Sequence, residues 1–318
     1  MNLVIRPFSP DDYAAITEVS NAAFPEYSRS IAERRYWDEH QDPRCKFQRW
    51  VALRADRVIG LGEYSQPPFM YHPRKFYVHA VVHPAQRRQG VGRALYTQLL
   101  AALQAFDPLL LRSEAREDMT DSRHFLEHRD FREDMRAWES RLDVAAFDFT
   151  PYAGVEERVC AQGIALKTLA ELAADPDRNR KLYEMFMEVE PDVPAPDAHT
   201  AVDYDHFIER TLGNPNLLPD AFFIAVHNGA YVGSSALWAS QGNADLYTGL
   251  TGVKRAYRRK GIALAMKLRG IDYARTHGRK LIKTWNESNN RPMLSINEAL
   301  GYVKQPAWIT FVKVLKEE

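Results

Sequence analysis

The strongest constraint on the fold is a repeat within the chain, in which positions 171 residues apart carry related side chains. Residues 87–95 read RRQGVGRAL, and residues 258–266 read RRKGIALAM. The same offset relates three further sets of residues: Val82 to Val253, Leu110-Leu111 to Leu281-Ile282, and Asp130-Phe131 to Gly301-Tyr302. Because the register holds without a gap over about fifty residues, we interpret the chain as two copies of one fold.

The start of each copy follows from weaker matches upstream. Residues 3–6 resemble residues 164–167, and residues 58–60 resemble residues 231–233, at offsets of 161 and 173. The second copy has therefore gained about a dozen residues in its early helical region. We predict an N-terminal domain at 1–148, a linker at 149–160 and a C-terminal domain at 161–318.

Hydrophobic periodicity assigns strands and helices within each copy. In the first copy it predicts strands at 3–6, 50–53, 57–63, 77–82, 109–111 and 135–142, and helices at about 9–22, 91–103 and 122–129. The second copy repeats this plan. Its insertion PDVPAPD, residues 191–197, is irregular, so we expect it at the surface, where a substrate-shaping loop can lie.

Composition excludes several classes of protein. The 318 residues include 42 basic and 42 acidic side chains without long runs of one sign, which argues against a nucleic-acid or membrane partner. Cys45 and Cys160 are far apart, so neither a disulfide framework nor a zinc site is expected, and a metal cluster of His72, His79 and His83 is not favoured either. Without a signal peptide or a long apolar run, the sequence predicts a cytoplasmic protein.

The repeated basic turn has the composition of a phosphate site. It follows a strand and precedes a helix, so orphan N–H groups and the helix dipole face an incoming anion. Arginines add positive charge, and glycine lets the backbone approach a ligand closely. The predicted phosphate-binding residues are Arg87, Arg88, Gln89, Gly90, Val91 and Gly92 in the first copy and Arg258, Arg259, Lys260, Gly261, Ile262 and Ala263 in the second, at the ends of the strands that carry Val82 and Val253. A basic loop before a helix, with no ligand, is the alternative interpretation.

The R-x-x-G-x-G/A turn after a strand, and the later helix that ends in Gly-Tyr or Asp-Phe, resemble the GNAT acetyltransferase superfamily over nearly the whole chain, twice. The stretch TWNESNNRPML is similar to tandem proteins of the mycothiol synthase type. The resemblance implies an α/β (α+β) fold of two tandem domains, each a mixed, mostly antiparallel sheet flanked by helices. It also implies acetyl-CoA as co-substrate, no metal, and coenzyme contacts from the backbone of residues 80–82 and 251–253 and from Asn290.

Two side chains that this family often uses in catalysis are absent. The glutamate expected six residues before the strand valine is Phe76 or Tyr247, and the tyrosine expected five residues before the last aromatic is Leu126 or Asn297. The substitutes that we consider are Tyr247, Asn286 and His79, and Asn297 and Glu63 are further candidates. Each of these residues also has a structural alternative. Tyr247 can pack in the core, Asn286 and Asn297 can cap helices, and His79 can be a structural or solvated histidine.

The resemblance implies an N-acetyltransferase that moves an acetyl group to a primary amine by direct attack. Asn290 and Gly301 occur only in the second copy, so we favour the C-terminal domain as the active one. Another acyl donor, an amino-sugar or antibiotic acceptor, and a tandem protein that binds coenzyme A without catalysis remain open. The partner we expect is a small-molecule amine, and the protein is expected to be a monomer or homodimer.

Overall fold

The computed structural model describes residues 2–317, which form strands and helices numbered here in chain order. The strands are β1 (Leu3–Pro7), β2 (Gln48–Arg54), β3 (Arg57–Ser65), β4 (Lys75–Val82), β5 (Leu110–Arg116), β6 (Arg132–Asp143), β7 (Ile164–Thr168), β8 (Leu217–His227), β9 (Ala230–Trp238), β10 (Leu246–Val253), β11 (Leu281–Glu287), β12 (Val303–Lys304) and β13 (Trp308–Val314). The helices are α1 (Tyr13–Ala23), α2 (Ile31–Glu39), α3 (Val91–Leu103), α4 (Thr120–Glu127), α5 (Val155–Cys160), α6 (Arg178–Val189), α7 (Tyr204–Leu212), α8 (Ile262–Thr276) and α9 (Arg291–Ala299). Within residues 2–317 no helix combines the length and the apolar character that a membrane span requires.

The chain divides into two compact units. The N-terminal unit comprises the chain up to Arg136, Gln241–Asn243 and the chain from Trp308 onward. The C-terminal unit comprises Ala137–Ser240 and Ala244–Ala307. The predicted α/β fold of two domains, each with a mixed sheet and flanking helices, is confirmed.

In the N-terminal unit the strands follow the order β1-β2-β3-β4-β5-β13, and only the β4–β5 pair is parallel. The two faces of β3 alternate as a strand requires. Leu61 packs with α1, whereas a Cβ added to Gly60 or Gly62 would lie 3.3 Å from Leu95 of α3, closer than an ordinary van der Waals contact. Helices α1 and α3 therefore cover opposite faces of this sheet.

In the C-terminal unit the order is β6-β11-β10-β9-β8-β7, with β12 also on β6, and the parallel pair is β10–β11. Side chains of β8 alternate between two cores. Phe223 packs with α8, and Phe222 packs with α6. The arrangement around β10 thus repeats the arrangement around β4, with helices on both faces.

The last sheet strand of each unit comes from the other half of the repeat. Strand β13, at the end of the second copy, pairs with β5 from Trp308↔Arg116 to Val314↔Leu110. Residues 137–143 of β6, at the end of the first copy, pair with β11. The predicted bounds 1–148 and 161–318 describe the sequence repeat and stay a prediction; the compact units differ from them by this exchange. The predicted linker 149–160 contains α5, whose Val155 and Val159 lie in the C-terminal core.

Candidate active site

The predicted basic turn of the N-terminal unit has the backbone of an anion site. It follows β4, and both Arg88 (φ +62°) and Gly90 (φ +81°) lie in the left-handed region. The first helical hydrogen bond of α3 runs from the Ala94 N–H to the Gly90 carbonyl. The N–H groups just before Ala94 therefore precede the first helical bond and point out of the helix start, where an anion is stabilised.

The turn of the C-terminal unit has the same backbone. Arg259 has φ +62° and Gly261 has φ +80°, and the first bond of α8 runs from Ala265 to Gly261. In each copy an arginine braces the turn against the preceding strand: Arg87 Nε lies 3.4 Å from the Val82 carbonyl oxygen, and Arg258 Nε lies 3.0 Å from that of Val253. The predicted strand, turn and helix are confirmed; coenzyme binding by them stays a prediction.

Beside the N-terminal turn lies a cavity of about 750 Å³. It is lined by the end of β4, the turn, α3, β5 and α4. The parallel pairing of β4 with β5 covers only residues 75–77 and 110–112, so the two strands part beyond Tyr77 and leave the edge of residues 78–82 facing the cavity. This volume lies within the range that small-molecule and cofactor sites occupy.

Strand β10 differs from β4 at the corresponding point. Its parallel pairing with β11 also ends early, at Tyr247↔Lys283. Its pairing with β9 then shifts register, so that two residues, Gly249 and Leu250, lie opposite the single residue Ala236. Such a bulge leaves backbone groups of the strand unpaired. The pairing of β3 with β4 runs without a shift from Gly60↔Val82 to Ser65↔Tyr77.

The charges around the two turns also differ. In the C-terminal unit Asp192 accepts hydrogen bonds from Arg255, whose Nε lies 3.1 Å from both carboxylate oxygens, and from Arg258. The Arg255 and Arg258 guanidinium groups lower the pKa of Asp192 to about 2. In the N-terminal unit Arg88 lies 3.4 Å from Asp121, both side chains being largely exposed, and within residues 2–317 no carboxylate pairs with Arg87.

His79, a predicted catalytic residue, lies on β4 directly opposite Glu63 of β3 and lines the cavity. Its ring stacks on Tyr77, with the ring centroids 6.2 Å apart. Glu63 accepts a 2.6 Å hydrogen bond from Arg49 Nε, and although burial opposes it, the charge of Arg49 leaves the pKa of Glu63 lowered. The structure thus places His79 at the cavity, whereas Glu63 forms an ion pair with Arg49.

The polar candidates of the second copy lie on neighbouring elements. Tyr247 stacks on Trp285 with an interplanar angle of 2° and centroids 5.9 Å apart. Asn297 Nδ2 of α9 donates a 2.7 Å hydrogen bond to Asn286 Oδ1 of β11. Asn290 is the N-cap of α9, and its Oδ1 accepts from the Met293 N–H at 3.4 Å. The sequence left a capping role open for Asn286 and Asn297, which bond to each other; the helix cap is Asn290, which the sequence had assigned to the coenzyme.

Sequence reasoning missed two polar side chains on the helices that follow the turns. Tyr96 of α3 lines the cavity, and its buried hydroxyl has no hydrogen-bond partner within residues 2–317. Lys267 of α8, which lies 171 residues later, is buried with Nζ equally unpartnered. The signal was present in the sequence as a lysine beside the apolar face of an amphipathic helix.

No group of three or more His, Cys, Asp or Glu side chains within the part of the chain that the structure describes is placed to hold a metal ion. The chemistry available at the two turns is that of backbone donors, arginines and the side chains named above. The orphan hydroxyl of Tyr96 and the open space beside Gly90, where an added Cβ would meet no atom within 4 Å, suit an extended phosphate-bearing ligand.

Comparison with known proteins agrees with this geometry. The profile of the Acetyltransferase (GNAT) family matches residues 13–131 and 177–302. A mycothiol acetyltransferase of Thermobifida fusca (strain YX) is 24% identical over 249 residues, which is 74% of each chain. A tandem GNAT protein from the clavulanic acid biosynthesis pathway, solved without acetyl-CoA, shares the fold over 100% of both chains (TM-score 0.76, 19% identity). A GCN5-related N-acetyltransferase from Sphaerobacter thermophilus does so over 99% of this chain and 96% of its own (TM-score 0.69, 18% identity).

Proposed function

Because the chain belongs to the acetyltransferase (GNAT) family, we propose that it transfers the acetyl group of acetyl-CoA to a primary amine of a small molecule. The observation that carries this proposal is the repeated turn, whose left-handed glycine and helix start offer a cradle of N–H donors for a pyrophosphate. The relative from Thermobifida fusca is named a mycothiol acetyltransferase, which supports a small-molecule acceptor.

The transfer proceeds by direct attack. The neutral amine adds to the thioester carbonyl carbon, the carbon–sulfur bond breaks, and the proton lost by the amine passes to water. Backbone N–H groups of the splayed strand polarise the carbonyl oxygen in this scheme. The two cysteines, Cys45 and Cys160, lie outside both turns and outside the N-terminal cavity, which supports a route without a covalent enzyme intermediate.

Within this proposal the C-terminal unit carries out the transfer, and the N-terminal unit holds a second coenzyme molecule. The bulge at Gly249 and Leu250 supports the first assignment, because it frees backbone groups beside the parted strands. The cavity and the exposed Arg88 support the second. A coenzyme-binding protein without transfer is the second candidate, favoured by the ion pair between Asp192 and Arg258, which partly neutralises the C-terminal turn.

The assignment is tested with the matched variants Gly90→Glu and Gly261→Glu, which place a carboxylate in one turn at a time. We expect the native chain to bind two molecules of coenzyme A and each variant to bind one, measured by calorimetry. Thiol release from acetyl-CoA with a panel of primary amines should fall by on the order of a hundredfold in Gly261→Glu, because the donor is no longer held in place. It should persist in Gly90→Glu.

The control is Gly229→Glu. Gly229 also has a positive φ, +77°, with open space around it, but lies in the turn between β8 and β9. Its backbone strain matches that of the test variants, so it should bind two coenzymes and retain turnover. Transfer that survives Gly261→Glu and is lost in Gly90→Glu would place the reaction in the N-terminal unit. Coenzyme binding by the native chain without thiol release would favour the non-catalytic candidate.

A further inference from the structure

Lys267 is a buried amine in the C-terminal unit. It lies on α8, six residues after Gly261, and is 4% exposed. Its Nζ has no hydrogen-bond partner and no carboxylate partner within residues 2–317. The nearest aromatic contact is Tyr302, whose ring centroid lies 5.4 Å from Nζ. An ammonium group in such a place is costly, and a bound ligand that accepts its hydrogen bond would offset this cost.

The N-terminal copy shows where this position points. The offset of 171 places Lys267 at Tyr96, which lines the 750 Å³ cavity with a hydroxyl that also has no partner within residues 2–317. In both copies the side chain lies about 9 Å along the helix from the turn, at 1.5 Å per residue. The turn and Tyr96 line the same cavity, so a ligand that is held at the turn and extends through this cavity passes Tyr96.

A second polar atom without a partner comes from α9. Asn297 is 1% exposed, and although its Nδ2 donates to Asn286, its Oδ1 accepts from no described residue. The offset relates Asn297 to Leu126, which lines the N-terminal cavity. Two positions that line the N-terminal cavity thus correspond, in the C-terminal unit, to buried residues with unsatisfied polar atoms on two different helices.

We propose that Lys267 is the general acid of the C-terminal unit, donating a proton from Nζ to the sulfur of coenzyme A as the thioester bond breaks. This inference rests on the proposed acetyl transfer. The bond from the amine nitrogen to the acetyl carbon forms, and the electron pair of the carbon–sulfur bond stays on sulfur, which takes the Nζ proton. Water returns a proton to Lys267, and the amine releases one, so that the products are an amide and a free thiol.

The neighbouring side chains suit this role less well. The amide of Asn297 can donate a hydrogen bond, yet it does not release a proton. Burial raises the pKa of the Tyr302 hydroxyl, which makes it a weaker acid. Burial lowers the pKa of Lys267 to about 8, close to the ordinary value of a thiol, and such a match favours proton transfer at neutral pH.

The test uses chains in which Gly90→Glu blocks the N-terminal turn, so that bound coenzyme reports the C-terminal unit. The thiolate absorbance of bound coenzyme A is followed against pH in chains with Lys267, Lys267→Met or Lys267→Arg. A nearby ammonium favours the thiolate, so Lys267→Met should raise the pKa of the bound thiol by at least about one unit. Lys267→Arg retains the charge and should keep that pKa low.

Turnover distinguishes a Lys267 that donates a proton from a Lys267 that contributes only its positive charge. We expect the kcat for thiol release from acetyl-CoA to fall by on the order of a hundredfold in both variants, because methionine has no proton and a guanidinium does not release one at these pH values. The decline of kcat above about pH 8 should be present only with Lys267. The control Lys280→Met removes an exposed lysine and should change neither measurement.

Three outcomes separate this inference from the proposed function. A bound thiol whose pKa and turnover are the same with Met as with Lys267 overturns the inference while transfer stands. A thiol pKa that responds to Lys267, in a chain that acetylates no amine of the panel, supports the contact with sulfur and overturns transfer. Failure of the Gly90→Glu chain to bind coenzyme A at all overturns the inference and the assignment of transfer to the C-terminal unit, whereas transfer by the N-terminal unit would still stand.

Discussion

The two basic turns are alike in backbone and different in charge. Arg88 and Gly90 in one unit, and Arg259 and Gly261 in the other, agree in φ within a degree. Yet Arg258 is paired with Asp192, whereas within residues 2–317 Arg87 has no carboxylate partner. Glycine and helix register fix the backbone, so duplication preserves it. The partner of Arg258 comes from the segment after α6, in the region where the second copy gained residues. The two turns therefore share a backbone but differ in the positive charge that is available to bind an anion.

The helices behind the turns differ in the opposite sense. In the N-terminal copy three positions of the core behind the turn are aromatic or apolar, Tyr96, Leu126 and Phe131, and the Arg129 guanidinium lies 3.6 Å from the ring centroid of Phe125. The positions that correspond to the first three in the C-terminal copy are Lys267, Asn297 and Tyr302. Within residues 2–317, the N-terminal copy thus has the turn in which Arg87 has no carboxylate partner, and the C-terminal copy has polar side chains at these three positions. This division agrees with coenzyme storage in the first and transfer in the second, and each prediction below tests one part of it.

The largest effect is expected at Lys267. At pH 7 its ammonium is buried without a hydrogen-bond or carboxylate partner among the described residues, so Lys267→Met should raise the free energy of unfolding by about 1–3 kcal/mol, because methionine avoids the cost of desolvating the charge. Burial lowers its pKa from 10.5 to about 8, so between these pH values the unfolded chain binds more protons than the folded chain. Native stability should therefore rise with pH across that window.

Urea unfolding of the two chains between pH 7 and pH 11 measures this difference. Below about pH 8 the ammonium is charged in both states, and the full advantage of Lys267→Met should be seen. Above pH 10.5 the lysine is neutral in both states, and the advantage should shrink. Lys280→Met provides the exposed control. A Lys267→Met chain that is less stable than native at pH 7 would show that the amine has a stabilising partner.

Much of the fold could be predicted because its signals are local or repeated. The strands predicted at 50–53 and 57–63 lie in β2 and β3, which pair through a turn at Ala55 and Asp56 with φ of +50° and +59°. The helix starts after Gly90 and Gly261 follow from strand, glycine and apolar periodicity, all of which occur twice. These features depend on a few neighbouring residues, so duplication made them more certain.

The exchange of β6 and β13 could not be predicted in this way. Both copies end in a strand, and the repeat does not by itself determine with which copy's sheet each of these strands pairs. The position of Asp192 next to the C-terminal turn could not be predicted either, because Asp192 lies in an irregular segment that hydrophobic periodicity does not place. Tyr247 and Asn286 were identified by position alone, and the structure gives them ring and amide contacts while their catalytic roles remain predictions.

The difference in charge between the turns is tested with Asp192→Asn. Removing this carboxylate frees Arg255 and Arg258 for a phosphate, so the affinity of the C-terminal turn for coenzyme A should rise about tenfold, or about 1.4 kcal/mol. Calorimetry in the Gly90→Glu chain measures it. The matched change Asp121→Asn, at the exposed 3.4 Å pair of Arg88, should alter affinity of the N-terminal turn less than about twofold. Equal gains in both copies would remove the proposed asymmetry.

The smallest effect is expected at Asn290, which the sequence assigned to the coenzyme and the structure places as a helix cap. Its bond to the Met293 N–H is long, 3.4 Å, so Asn290→Ala should lower the free energy of unfolding by only about 0.5–1 kcal/mol. The corresponding residue Met119 makes no side-chain cap bond to α4, so Met119→Ala should have no capping effect. Calorimetry on the same Asn290→Ala chain decides between the two roles. A helix cap changes coenzyme affinity and the free energy of unfolding only through the stability of the helix. A loss of coenzyme binding free energy larger than the loss of unfolding free energy would therefore assign Asn290 to the coenzyme-binding site.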